Sequence, residues 1–287
     1  MRISDQQQLS NMLVNLQSNQ ERLARSTERA TTNLQVARPS DDPTAFNRIT
    51  DYDGRLTKLA GYDQNIEQVR SRLSATDSTL QSVQGILTRL RELSLSAQSP
   101  GSDSSLAASE AESLRSQLGQ LLNKNFDGEY LFSGYSGATP FTNNVFGGDN
   151  QKRAVEVSPL GATVFGVSSK DAFGVDPGQV VYPGLDSMIA AMKAGDSAKI
   201  RASLDAIDGY QKQLAQAQTL VGGQLNTLDV AKSANDSYKV ALTKSQSELR
   251  DADPAEAYSK LAADRYAVEA TYAILGQQNQ LSILKYL

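Results

Sequence analysis

The 287-residue sequence contains no cysteine, no histidine and no tryptophan, and only 6% of it is aromatic. Without cysteine there can be no disulfide, thiolate nucleophile or iron–sulfur cluster. Without histidine the commonest general base and the commonest metal ligand are both missing. Carboxylate and lysine chemistry remain, but no nucleophile stands at a recognisable spacing from a base. The sequence therefore points away from an enzyme, and no catalytic, cofactor-binding or metal-binding residue is expected. The acidic cluster Asp41, Asp42, Asp51 and Asp53 lacks calcium-loop spacing, and helix capping and solvation account for it. The net charge of −4 is mild and carries no basic block, which does not suit nucleic acid. No run approaches the roughly 18 apolar residues of a membrane span. Residues 1–20 hold neither a continuous apolar stretch nor a small-residue cleavage site, so no cleaved signal and no membrane insertion are expected.

What the sequence does have is heptads. From Leu59, one position reads Leu59, Ile66, Leu73, Leu80, Leu87 and Ser94. The position three residues on reads Tyr62, Val69, Thr76, Val83, Leu90 and Ala97. A narrow apolar seam sustained this long is a coiled-coil pattern. A helix from Pro43 to the Ser99-Pro100-Gly101 break would be about 80 Å long at 1.5 Å per residue. A second rod of nearly equal length reads Ile200, Ile207, Leu214, Val221, Leu228, Asn235, Leu242 and Leu249. Two such rods pack lengthwise most simply when antiparallel. Asn235 in the seam would fix register at some cost in stability, and Gly222-Gly223 offers a bend or hinge.

Between the rods, Leu106, Leu114, Leu118, Leu121 and Leu122 mark a return helix ending near Asn125. From Phe126 to Pro183 helical periodicity gives way to glycine and short alternating pieces, at 155–157, 162–167 and 179–182, which read as a small β-rich insertion. Helix resumes at Leu185, Met188, Ile189 and Met192. The expected fold is thus mainly α, a long antiparallel coiled-coil rod bundle carrying a small β-rich insertion domain.

Two proline breaks mirror each other outside the rods. At the first, Pro39, Asp41, Asp42 and Pro43 interrupt the chain, with Asp42 as the cap and Pro43 at the first helical position. At the second, Asp253 and Glu256 have capping-box spacing and Pro254 opens the helix. The N-terminal segment has a sparse stripe at Leu9, Leu13, Leu16, Leu23 and Leu34. It buries too little to hold a helix alone and is expected to order only against partners. The last helix, with Leu261, Val268 and Leu275, closes on Leu281, Leu284 and Leu287. An apolar terminus of this kind calls for a partner.

This layout resembles the bacterial flagellin superfamily, as do several local motifs. Arg38-Pro39-Ser40-Asp41-Asp42-Pro43 is similar to the break shared across that superfamily. Met1-Arg2-Ile3-Ser4, the stretch from Asn125 to Gly134 with Pro140-Phe141, and the ending Leu281 to Leu287 resemble its hook-associated protein 3 branch. The resemblance implies a structural subunit of the bacterial flagellum at the hook–filament junction, with the bulk filament subunit as the alternative and a cytoplasmic coiled-coil scaffold behind it. It further implies secretion through the flagellar type III apparatus, an export chaperone, and assembly as a homo-oligomeric ring or short helical zone beside other hook-associated protein and flagellin subunits. The implied segments are polymerisation helices at 1–38 and 253–287, rod portions at 39–125 and 184–252, and the insertion at 126–183. Leu9, Leu13, Leu16, Leu23, Leu275, Leu281, Leu284 and Leu287 are then assigned to intersubunit or paired-helix packing.

Overall fold

A computed structural model describes residues 2–99 and 103–284, with side chains at 7, 10–99 and 103–277. Among the described residues, seven helices and six strands follow one another as α1 (Arg2–Thr32), α2 (Pro43–Ser96), α3 (Ser104–Leu122), β1 (Asn125–Phe126), β2 (Glu129–Tyr130), β3 (Phe141–Thr142), β4 (Val145–Phe146), β5 (Arg153–Ser158), β6 (Gly161–Phe165), α4 (Ser169–Phe173), α5 (Pro183–Ala194), α6 (Ser197–Arg250) and α7 (Pro254–Leu284). The fold is mainly α, with long helices and a small β-rich insertion. No helix among the described residues is long and apolar enough to cross a membrane. The chain forms two compact units, one of residues 1–58 with 238–287 and one of residues 59–237.

In the larger unit, the heptad positions of α2 form the core. Leu59, Ile66, Leu73, Leu80 and Leu87 are buried, as are Ile200, Ile207, Leu214, Val221 and Leu228 of α6. Polar pairs flanking the seam give its direction. Glu67 meets Lys232, Arg70 meets Asp229, Thr88 meets Gln211, Arg91 meets Asp208 and Gln98 meets Arg201. Every step forward from Glu67 to Gln98, just past the end of α2, is matched by an equal step back on α6, so the two segments run antiparallel without a slip in register. From Glu67 to Gln98 this spans about 46 Å. The Gly222-Gly223 pair does not interrupt α6, which is one helix through it. Two glycines cost about 1 kcal/mol each relative to alanine, and the burial of Val221 and Leu228 on either side offsets that.

The insertion consists of three two-stranded antiparallel hairpins. Phe126 pairs with Glu129 across Asp127-Gly128, both at positive φ, and Thr142 pairs with Val145 across Asn143-Asn144, also both positive. These are two-residue turns with both central residues left-handed, which asparagine, aspartate and glycine tolerate best. Gly134 is held at φ +71, where an added Cβ would collide with the side chain of Asp149. The residues expected as a strand at 179–182 contribute one isolated bridge, Val145 with Val180, and Tyr182 turns left-handed to start α5. An unexpected short helix, α4, starts from a Ser168–Asp171 capping box. Its Phe173 contacts Phe132, Phe141 and Tyr182 edge-on, filling the insertion's core. Arg115 of α3 is buried and holds α5, donating to Asp186 at 3.0 Å and to the Val181 carbonyl at 3.0 Å.

Candidate assembly interface

In the smaller unit, Asp41 and Asp42 organise the first proline break. Asp42 Oδ1 accepts from the N–H groups of Thr44 and Ala45, both at 2.9 Å, and Pro43 opens α2. Asp41 Oδ2 accepts from Arg38 N–H at 2.9 Å and Ala37 N–H at 3.1 Å, and the Arg38 bond holds its carboxyl below the ordinary aspartate value. Pro39 is exposed within this turn. At the second break, Asp253 Oδ1 accepts from Ala255 N–H at 2.8 Å and Pro254 opens α7. Glu256, expected to complete a capping box, pairs with Lys260 at 2.6 Å. Backbone bonds tie the breaks together: Gln35 N–H donates to Arg250 O at 2.7 Å and Ala252 N–H to Asn33 O at 2.8 Å. Val36, Ala45 and Ile49 form a small core beneath them, with Phe46 and Leu249 against it.

Residues 2–32, expected to lack order on their own, form a continuous helix that lies antiparallel to α7. Asn19 donates to Thr271 at 2.9 Å, Gln20 to Tyr272 at 2.7 Å, and Arg22 faces Asp264 at 3.6 Å. The reason is pairing. Each terminal helix gives the other a partner for a thin apolar stripe that neither could bury alone. Ala30 of α1 and Ala257 and Val268 of α7 are buried.

Leu16, Leu23 and Leu275 are half-buried, whereas Leu13 is 54% exposed. Leu9, Leu281 and Leu284 lie in the helices, but their side chains fall outside the described residues, and Leu287 lies outside them altogether. Heptad reading did not single out the far side of α7. Ala257, Leu261, Asp264, Val268, Thr271 and Leu275 lie on the covered side, and Ala262, Tyr266, Ala270 and Ala273 on the open one. Tyr266 is 71% exposed, and Tyr258, Tyr272 and Ile274 are exposed as well. The signal was present in the sequence as alanine and tyrosine outside the leucine and valine stripe of one helix. Spacing alone does not say which side is covered.

Two family models match the chain. Residues 3–137 match the bacterial flagellin N-terminal helical region and residues 204–287 the bacterial flagellin C-terminal helical region. The chain belongs to the flagellin superfamily. It is a structural subunit of the bacterial flagellum, an extracellular appendage. Flagellin of Bacillus subtilis strain 168 is 25% identical over 298 residues, covering 98% of this chain and 97% of that protein. Among solved structures, a protein of Vibrio parahaemolyticus assigned as flagellar hook-associated is 25% identical with a TM-score of 0.68, covering 74% of this chain and 100% of that one. FlgL of Bacillus cereus shares the fold at 22% identity and a TM-score of 0.58, over 67% of this chain and 97% of its own.

Proposed function

We propose that this subunit joins hook to filament, a structural and not an enzymatic role. The observation that carries this reading is the likeness to the Vibrio parahaemolyticus hook-associated protein, which extends over all of that chain at 25% identity. The Gly128–Gly134 stretch supports it. Its two glycines sit at positive φ in a turn and beside Asp149, so the motif follows from the backbone of the helix-to-β transition. In this reading residues 1–38 and 253–287 are the polymerisation helices. Leu9, Leu13, Leu16, Leu23, Leu275, Leu281, Leu284 and Leu287 pack between paired helices or between subunits. The mirrored breaks at Pro39, Asp41, Asp42 and Pro43 and at Asp253 and Pro254 set those helices off from the rods. The open side of α7 is the surface that a neighbouring copy covers, because exposed tyrosines among alanines offer contact area with little charge to desolvate. The subunit leaves the cell through the flagellar export route with a chaperone and assembles in a ring or short helical zone between other hook-associated protein and flagellin subunits.

A second reading, the bulk filament subunit, is favoured by the 25% identity to Bacillus subtilis flagellin across 98% of this chain. Antibody labelling of intact detached flagella, viewed by electron microscopy, separates the two. The junction subunit labels one short zone where hook meets filament. Label along the whole filament overturns the proposal in favour of flagellin.

A further inference from the structure

Between α2 and the insertion lies a cavity of about 210 Å³ that the assembly role does not use. Its floor is apolar, built from Leu73, Leu131, Phe165 and Val167, all buried. Its wall is cationic. Arg72 and Arg153 share one carboxylate: Glu129 accepts from Arg72 Nη1 at 2.9 Å and from Arg153 Nη1 at 3.0 Å. Lys152 also lines the cavity and is neutralised by Asp171 at 2.9 Å. One positive charge is therefore left over. Arg72 Nη2 is satisfied by the Tyr130 carbonyl at 2.8 Å, and Arg153 Nη2 reaches the Gly134 carbonyl at 3.5 Å. The Nε–H of Arg153 is buried and has no acceptor. Burial, and then the charge of Arg153, make the Arg72 guanidinium less basic than usual, against the opposing pull of Glu129.

We propose that this cavity binds a small amphipathic monocarboxylate, its carboxylate beside Arg72 and Arg153 and its apolar chain on Leu73, Phe165 and Val167. A small hydrophilic anion would leave the floor unused, and a neutral or cationic amphiphile would leave the extra guanidinium charge uncompensated. At about 30 Å³ per water-sized group the cavity takes about seven, the number of carbons in the alkyl chain of octanoate, whose carboxylate would then sit at the cationic wall. The inference is independent of where in the flagellum the subunit sits.

The test is isothermal titration of the purified full-length chain with octanoate, hexanoate, octylamine and 1-octanol. Octanoate should bind saturably at one site. Hexanoate should bind about fifteenfold more weakly, because each buried methylene is worth about fourfold. Octylamine and octanol should bind at least tenfold more weakly than octanoate. Arg153→Gln should weaken octanoate at least tenfold and leave octanol unchanged, with far-UV circular dichroism reporting that the variant is folded. The ligand series on the unaltered chain decides the question even if that variant does not fold. Absence of saturable octanoate binding, or octylamine binding as well as octanoate, overturns the proposal. So does a folded Arg153→Gln variant that binds octanoate normally, as it would if acidic groups of a neighbouring subunit were the true occupant.

Discussion

Asn235 allows a quantitative test of what holds the insertion on the rods. It occupies a seam position of α6 and is buried, a place where a coiled coil gains stability from leucine and loses it to asparagine. Its side chain is committed elsewhere, since Nδ2 donates to the carbonyl of Val157 at 2.9 Å. Val157 needs that donor. The β5–β6 register passes from Glu156 opposite Ala162 to Ser158 opposite Gly161, so Val157 is the bulged residue with no partner in the ladder. Asn235→Ala removes the donor from a buried carbonyl, which costs about 1–3 kcal/mol, with a further loss from the space left behind. Asn235→Leu decides between the two roles. If the asparagine only specified register, leucine would stabilise the seam by about 1–2 kcal/mol through added apolar burial. If it tethers the bulge, the unsatisfied carbonyl cancels or reverses that gain and the hairpin opens more often. Urea unfolding followed by far-UV circular dichroism gives the first quantity, and hydrogen exchange over residues 153–165 gives the second. Adding Asn65→Ala, which removes the donor to Glu156 O at 2.8 Å, should cost less than about 1 kcal/mol alone because that bond is exposed. Combined with Asn235→Ala it should cost more than the sum, since the two asparagines grip neighbouring residues of one strand. A leucine variant that is more than about 1 kcal/mol more stable, with unchanged exchange in the hairpin, would refute the tether.

Two further outcomes follow from the same structure. Burial works to raise the carboxyl of Asp171, but hydrogen bonds from Ser168 and the ammonium of Lys152 outweigh it, so its folded pKa lies below the ordinary 3.8. Its stabilisation is present in full above that ordinary value and fades as pH falls through the lower folded one, so a carboxyl titration by NMR should put its midpoint below those of exposed aspartates, and a midpoint at or above theirs would contradict the capping geometry. Tyr266→Asp, on the open side of α7, should change monomer stability by less than about 0.5 kcal/mol yet stop incorporation into flagella, and normal incorporation would show that this side is not an assembly surface.

The rods were legible because their information is periodic. Leu59, Ile66, Leu73, Leu80 and Leu87 repeat one requirement five times, and all five are buried. The insertion was legible only as a change in composition. Four of its six strands are two residues long, too short for alternation to register. What defines them is turn chemistry at Asp127-Gly128 and Asn143-Asn144, where the left-handed pairs stand. α4 escaped because five residues carry no period, although the Ser168–Asp171 box was there to be read. Arg115 escaped for a different reason. A charged residue is expected in water, and only the approach of Asp186 from α5 and of the Val181 carbonyl just before it makes its burial tolerable. The cavity beside Arg72 and Arg153 combines residues from a helix and several short strands, a juxtaposition that no local pattern encodes.

The terminal helices set a limit of another kind. A pattern locates a buried face only when the rest of the helix is polar, and α7 is not: Tyr258, Ala262, Tyr266, Ala270, Ala273 and Ile274 stand outside its covered side. The tyrosines and alanines carry its apolar surface well past the one side that α1 covers, beside the exposed pairs Glu256–Lys260 and Arg265–Glu269. Within one chain that leaves a mismatch between sequence and surroundings. If the helix lies within an assembled flagellum, the mismatch disappears, because neighbouring copies cover the open side and α1 needs to bury only the stripe that faces its partner. On this view the sparse stripe of α1 and the surplus of apolar surface on α7 are two halves of one design, in which the pair is stable enough to form in the subunit and incomplete until a second copy arrives.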